Sequence, residues 1–121
     1  MNGFSFIADT NFLIDVHEGQ EKTLPFLDGT AIISAITEIE LLGWYNISKS
    51  DVKELQDLLS DCIIIELNAE IKNLAIKIRQ QAKIKTPDAI IAATSLYLQL
   101  PLVTSDKRLQ SIPDLELILL G

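Results

Sequence analysis

The sequence predicts an α/β fold, a three-layer αβα sandwich around a mostly parallel central sheet. Two observations carry this. Residues 4–8, 30–33, 62–65, 102–104 and 117–119 are short, bounded apolar runs of the kind that form strands covered on both faces. Segments with helical spacing stand between those runs, which is the pattern of a parallel sheet sandwiched by helices. A hydrophobic fraction of 48% and a mean hydropathy of +0.27 add a compact, well-buried interior.

The 121 residues suit one domain spanning positions 1–121, burying about two-thirds of the unfolded chain's surface. No apolar run approaches the roughly 20 residues of a membrane span. Met1-Asn2-Gly3-Phe4 lacks the basic flank and apolar core of a signal peptide. The single cysteine, Cys62, has no internal disulfide partner, so a cytoplasmic setting is expected, with Cys62 as a buried strand residue. A net charge of −7 argues against coating nucleic acid by bulk electrostatics, but not against reaching phosphates through a bound cation.

Taken in order, the strand at residues 4–8 ends at Asp9, and Phe12, Leu13 and Val16 mark a helix capped by Asp9 or Thr10 and stopped at Gly19. A short turn or helix over residues 21–27 and an Asp28-Gly29 turn precede the second strand. Ser34 caps a helix expected to run to about Tyr45, its sheet-facing stripe being Ala35, Ile36, Ile39, Leu42 and Gly43. Glu38 and Glu40 fall on opposite flanks of that stripe; only one can enter any given cleft, and periodicity does not say which. Leu41, Trp44 and Tyr45 form a second apolar surface, covered either by a neighbouring helix or by a partner.

Residues 48–60 read as an amphipathic helix, followed by the third strand. Asn68 caps a long helix with Ile71, Leu74, Ala75, Ile78 and Ala82 on its apolar face. Lys72, Arg79 and Lys83 share a stripe at i, i+7 and i+11, with Lys85 following; this is a solvated face or a place for a phosphate backbone. Thr86 suits the N-cap and Pro87 the first position of an almost uniformly apolar helix, with Asp88 in its positive first turn. The strand at 102–104, a turn from Asp106 to Ile112 and the strand at 117–119 complete the chain.

In such a fold ligands sit outside the carboxyl ends of the strands, where strand order reverses. Asp9 and Asp106 end strands, and Asp88 with Glu38 or Glu40 lies on helices leaving the same edge. Each acid alone has a structural explanation as a cap or surface residue. Crowded together, four carboxylates repel one another or take up protons unless a hard cation joins them, and Mg²⁺ or Mn²⁺ suits such a set. The only histidine, His17, lies in a polar stretch and reads as a surface residue.

Asp9-Thr10-Asn11-Phe12-Leu13-Ile14-Asp15 resembles the first signature of the PIN-domain ribonucleases. Ser34-Ala35-Ile36-Thr37-Glu38-Ile39-Glu40-Leu41 is similar to their second. Asp88-Ala89-Ile90-Ile91-Ala92-Ala93-Thr94 with Leu102-Val103-Thr104-Ser105-Asp106 resembles their third and fourth. Length and spacing most resemble the VapC-type toxins of prokaryotic toxin–antitoxin pairs. The resemblance selects Glu40 over Glu38 and implies a four-acid catalytic Mg²⁺ or Mn²⁺ site of Asp9, Glu40, Asp88 and Asp106. Thr10, Asn11 and Thr104 would orient the carboxylates, and metal-activated water would cut RNA. It also implies an antitoxin partner and a homodimer. Leu41-Leu42-Gly43-Trp44-Tyr45 departs from the Arg-containing sequence common in these toxins.

Two other classes compete. A receiver-type phosphoacceptor domain needs an acceptor Asp ending a central strand and paired acids after the first; here the third strand ends Ile65-Glu66-Leu67 and Asp9 has no acidic neighbour. A catalytically silent PIN-like scaffold would be marked by loss of an acid, and all four are present.

Overall fold

Five parallel strands in the order β3-β2-β1-β4-β5 form the centre of the molecule. They are β1 (Ser5–Ala8), β2 (Thr30–Ser34), β3 (Ile63–Ile65), β4 (Leu102–Thr104) and β5 (Leu117–Leu119). The helices are α1 (Thr10–His17), α2 (Ala35–Leu42), α3 (Lys49–Ser60), α4 (Ala69–Gln81) and α5 (Thr86–Leu98). Short 3₁₀ segments at Glu21–Phe26 and Lys107–Ser111 complete the fold. This computed structural model describes residues 3–121; the sequence reading at Met1 and Asn2 lies outside the described residues. No helix among them is long and apolar enough to cross a membrane.

Successive strand residues point to opposite faces, and the core divides accordingly. Ile7, Ile32 and Leu102 pack with Ile71, Ile78 and Ile91 of α4 and α5. Phe6, Ala8, Ile33 and Val103 pack on the other face with Phe12, Leu13, Leu41, Leu55 and Leu59 of α1, α2 and α3. Each large side chain so buried contributes about 1.5–3 kcal/mol. Phe6, Phe12 and Phe26 meet edge to face with centroids 5.6–5.8 Å apart, so the β1–α1 corner that carries Asp9 is rigidly packed.

Local chemistry sets the element ends. Asp9 caps α1, its Oδ1 accepting the Phe12 N–H at 2.8 Å, and Gly19 takes the left-handed conformation (φ +73°) just past the helix. The Ser34 and Asn68 side chains accept backbone N–H groups at the starts of α2 and α4. Ser48 does the same for α3.

Four expectations need correction. α2 stops at Leu42 rather than near Tyr45: Gly43 closes it by donating to the Ile39 carbonyl, and a Cβ there would lie 2.5 Å from that oxygen. The buried face of α2 runs through Thr37 and Leu41 (1% exposed), while Ile39 is 63% exposed. Of the expected second surface, Leu41 therefore belongs to the core, Trp44 (58%) and Tyr45 (93%) are exposed, and Ile39, expected to face the sheet, is exposed with them. Cys62 is half-buried and precedes β3 rather than lying in it, since β3 is an edge strand of three residues. Finally, Lys85 stands at the N-cap of α5 with Thr86 already helical, and no side chain caps that terminus. The expected burial of α5 on more than one side holds, with residues 91–95 all inaccessible.

Candidate metal centre

The chain leaves β1 toward β2 on one side, and β4 joins β1 on the other, so the strand order reverses between β1 and β4. Asp9 and Asp106 stand beyond the carboxyl ends of those two strands, where a crevice is expected. Asp9 is 6% exposed and fully engaged. Its Oδ1 takes the Phe12 N–H, and its Oδ2 receives the Thr104 hydroxyl at 2.5 Å. The Thr104 oxygen in turn accepts the Asp106 N–H at 3.0 Å, so one hydroxyl at the end of β4 orients two acids.

Glu40 arrives from the last turn of α2. Its Oε1 receives the Thr10 hydroxyl at 2.6 Å, and that hydroxyl lies 3.3 Å from the one on buried Thr37. Asp88 comes from the first turn of α5 and is half-buried. The four acids lie within electrostatic reach of one another: the charges of Asp88 and Asp106 bear on Asp9, and those of Asp106 and Glu40 on Asp88.

Burial pushes the Asp9 carboxyl above its ordinary range, against the hydrogen bonds from Thr104 and Phe12 and with help from the neighbouring acids. Burial also raises Asp88, with Asp106 adding to the effect and Arg108 opposing it. Asp106 moves the other way because Arg108 holds its carboxylate. The Arg108 guanidinium grips both Asp106 oxygens, Nε–H to Oδ1 at 3.0 Å and Nη2–H to Oδ2 at 2.6 Å, and Nη2 reaches to 4.0 Å from Asp88.

Thr10 and Thr104 thus touch the carboxylates they were expected to orient. Asn11 is exposed, and its side chain hydrogen-bonds none of them, because the first turn of α1 points it outward. Lys83 and Lys85 lie beyond the end of α4, so the expected i+11 stripe breaks; instead Arg79, Lys83 and Lys85 line a 290 Å³ concavity on the loop leading to α5. Lys72 lines a separate groove with Leu67, Ile76, Arg79 and Ile90. Arg108 was not singled out from the sequence, although its place two residues after Asp106 is a signal for a turn-spanning ion pair.

An all-oxygen donor set in which Asp9 and Asp88 are raised by burial, with neighbouring acids adding to the effect, fits a hard divalent cation, which offsets both penalties at once. No three of these four carboxylates bring ligand atoms within 4.8 Å of one another. Among the described residues the one set of three metal-capable side chains with ligand atoms all within 4.8 Å is His17, Asp51 and Glu54, exposed at the α1–α3 surface. There the His17 imidazole lies 3.8 Å from Glu54.

The sequence profile of the PIN domain matches residues 6–115. The chain belongs to the PIN domain family. It is similar in structure to a toxin–antitoxin complex from Klebsiella pneumoniae, with 30% identity, 93% of this chain and 95% of that one covered, and a TM-score of 0.80. It also resembles VapBC2 of Rickettsia felis bound to a promoter DNA fragment, with 20% identity, 98% and 100% coverage, and a TM-score of 0.86. A third similar structure is VapBC-1 of nontypeable Haemophilus influenzae, with 23% identity, 96% and 98% coverage, and a TM-score of 0.80. A comparison with curated proteins finds none that matches. PIN domains are generally nucleases, and this membership removes the receiver-type reading.

Proposed function

We propose that this PIN domain is a metal-dependent endoribonuclease, the cytoplasmic toxin of a toxin–antitoxin pair. In this reading Asp9, Glu40, Asp88 and Asp106 hold Mg²⁺ or Mn²⁺ and carry the reaction. The observation that supports it most is electrostatic: at the β1–β4 switch point burial first, and neighbouring acids second, raise the proton affinity of Asp9 and Asp88, in a fold whose other members are generally nucleases.

A bound divalent cation supplies water activation and charge neutralisation at the phosphate. The chain's own residues do the rest. Thr104 keeps Asp9 in one rotamer and ties the Asp106 backbone to it, while Thr10 fixes Glu40. Asp88, on the rigid N-terminus of α5, completes the negative pocket. Arg79, Lys83 and Lys85, with Lys72 behind them, offer RNA phosphates a cationic approach in an otherwise acidic protein.

Likeness to toxin–antitoxin complexes supports an antitoxin partner, and exposed Ile39, Trp44 and Tyr45 supply an apolar surface for it or for a second copy of the chain in a homodimer. The test is RNA cleavage with Mg²⁺ or Mn²⁺ and with EDTA. Cleavage should require the cation and vanish in Asp9→Ala, Asp88→Ala and Asp106→Ala variants that keep the native circular dichroism. Undiminished cleavage by those variants would refute the proposal.

A further inference from the structure

Arg108 sits on one of the four acids, Asp106, and beside a second, Asp88. Its guanidinium engages both oxygens of Asp106 in a fork and comes within 4.0 Å of Asp88. Each Asp106 oxygen therefore already accepts from the Arg108 side chain, and Oδ1 from its backbone N–H as well. A divalent ion held by Asp106 and Asp88 would compete with the guanidinium for the Asp106 lone pairs, and the two cations side by side would repel.

The anchoring of Arg108 makes exchange feasible. Asp106 Oδ1 also accepts the Arg108 N–H at 3.0 Å, starting the 3₁₀ segment Lys107–Ser111, which is pinned to the core by buried Leu109. The backbone of Arg108 is thus held while its side chain is largely exposed. Released from Asp106, the guanidinium stays within one side-chain length of the site, with five donors and no carboxylate. A phosphate is the partner that matches its fork geometry.

Resting on the cation site of the proposed function, we propose that Arg108 is an exchangeable counter-ion. It closes the acidic pocket when no divalent ion is present, yields Asp106 and Asp88 to the incoming ion, and then binds a phosphate of the RNA. Arg108 is in this sense a metal-gated substrate-binding residue.

The exchange predicts effects of opposite sign. In titration calorimetry, Arg108→Gln should bind Mn²⁺ about threefold or more tightly than the wild type, because the ion no longer displaces a guanidinium. With Mg²⁺ present, the same variant should bind a non-cleavable 2′-O-methyl RNA several-fold more weakly. In the ¹⁵N-labelled wild type, the Arg108 Nε–H resonance should shift as Mg²⁺ is added. A structural role alone would move both affinities in the same direction. Equal Mn²⁺ affinity in the two proteins, or an Arg108 resonance unmoved while Mg²⁺ binds, would overturn the exchange and leave the cation site standing. Absence of Mn²⁺ uptake by both proteins would overturn the site and the exchange together.

Discussion

The hydroxyl of Thr104 sits 2.5 Å from Asp9 Oδ2 across the boundary between β1 and β4, and its oxygen also receives the Asp106 N–H. One side chain at the end of a fully buried strand thereby fixes two acids that are 97 positions apart in sequence. Thr104→Val keeps the shape and deletes both interactions. The variant should lose about 1–3 kcal/mol in urea unfolding, because the Asp9 oxygen and the Asp106 N–H each lose a partner. Its Mn²⁺ affinity should fall as well. Wild-type stability and affinity in this variant would show that the hydroxyl is incidental.

Asp88 makes the pH dependence of the metal-free protein informative. Burial, with Asp106, raises its folded pKa above the unfolded value, as burial does for Asp9. Such a group contributes stability below the unfolded carboxylate pKa, near 4, and loses that contribution as pH rises through the folded value. Asp106, held low by Arg108, contributes stability above the unfolded pKa that is lost as pH falls through its folded value. In EDTA at pH 7, Asp88→Asn should therefore melt above the wild type, with the gap closing on acidification. Adding Mg²⁺ should stabilise the wild type and not the variant. Melting curves across this pH range test both statements.

Leu41 and Trp44 are three residues apart and should behave as different kinds of residue. Leu41→Ala removes a fully buried side chain beneath α2 and should cost about 2–5 kcal/mol. Trp44→Ala, at an exposed position, should change stability by about 0.5 kcal/mol or less. The same change should weaken binding of a cognate antitoxin by about 2 kcal/mol if Trp44 anchors that interface. Because Trp44 is the only tryptophan, its fluorescence reports docking directly.

Neutralising Lys72, Arg79 and Lys83 together should weaken RNA binding more at low salt than at high salt, and flatten the dependence of affinity on salt concentration. Arg79 needs a control, because its Nε–H also holds the Ile84 carbonyl at 3.2 Å and shapes the loop before α5. Lys72→Gln with Lys83→Gln avoids that complication. Unchanged affinity across salt would assign these cations to solvation alone.

Much of this architecture is legible in the sequence because the parallel strands are short apolar runs and the helices between them carry side-chain caps such as Ser34, Ser48 and Asn68. α2 is where the reading fails. Its eight residues, Ala35–Leu42, are apolar on several sides, so the phase of the stripe is ambiguous; buried Thr37 breaks the pattern and exposed Ile39 imitates it. Topology pointed to one edge for Asp9 and Asp106, but the choice of Glu40 over Glu38 needed a resemblance, since both flank the same short helix. Arg108 carries only a weak signal, its place two residues after Asp106, and an exposed arginine in a basic turn otherwise looks like ordinary surface.

The most direct measurement is anomalous diffraction from crystals soaked in Mn²⁺. The account predicts a peak at the β1–β4 crevice among Asp9, Asp88 and Asp106, with Glu40 beside it and the Arg108 guanidinium withdrawn from Asp106. A peak confined to His17, Asp51 and Glu54, with the crevice empty and Arg108 still seated on Asp106, would contradict it.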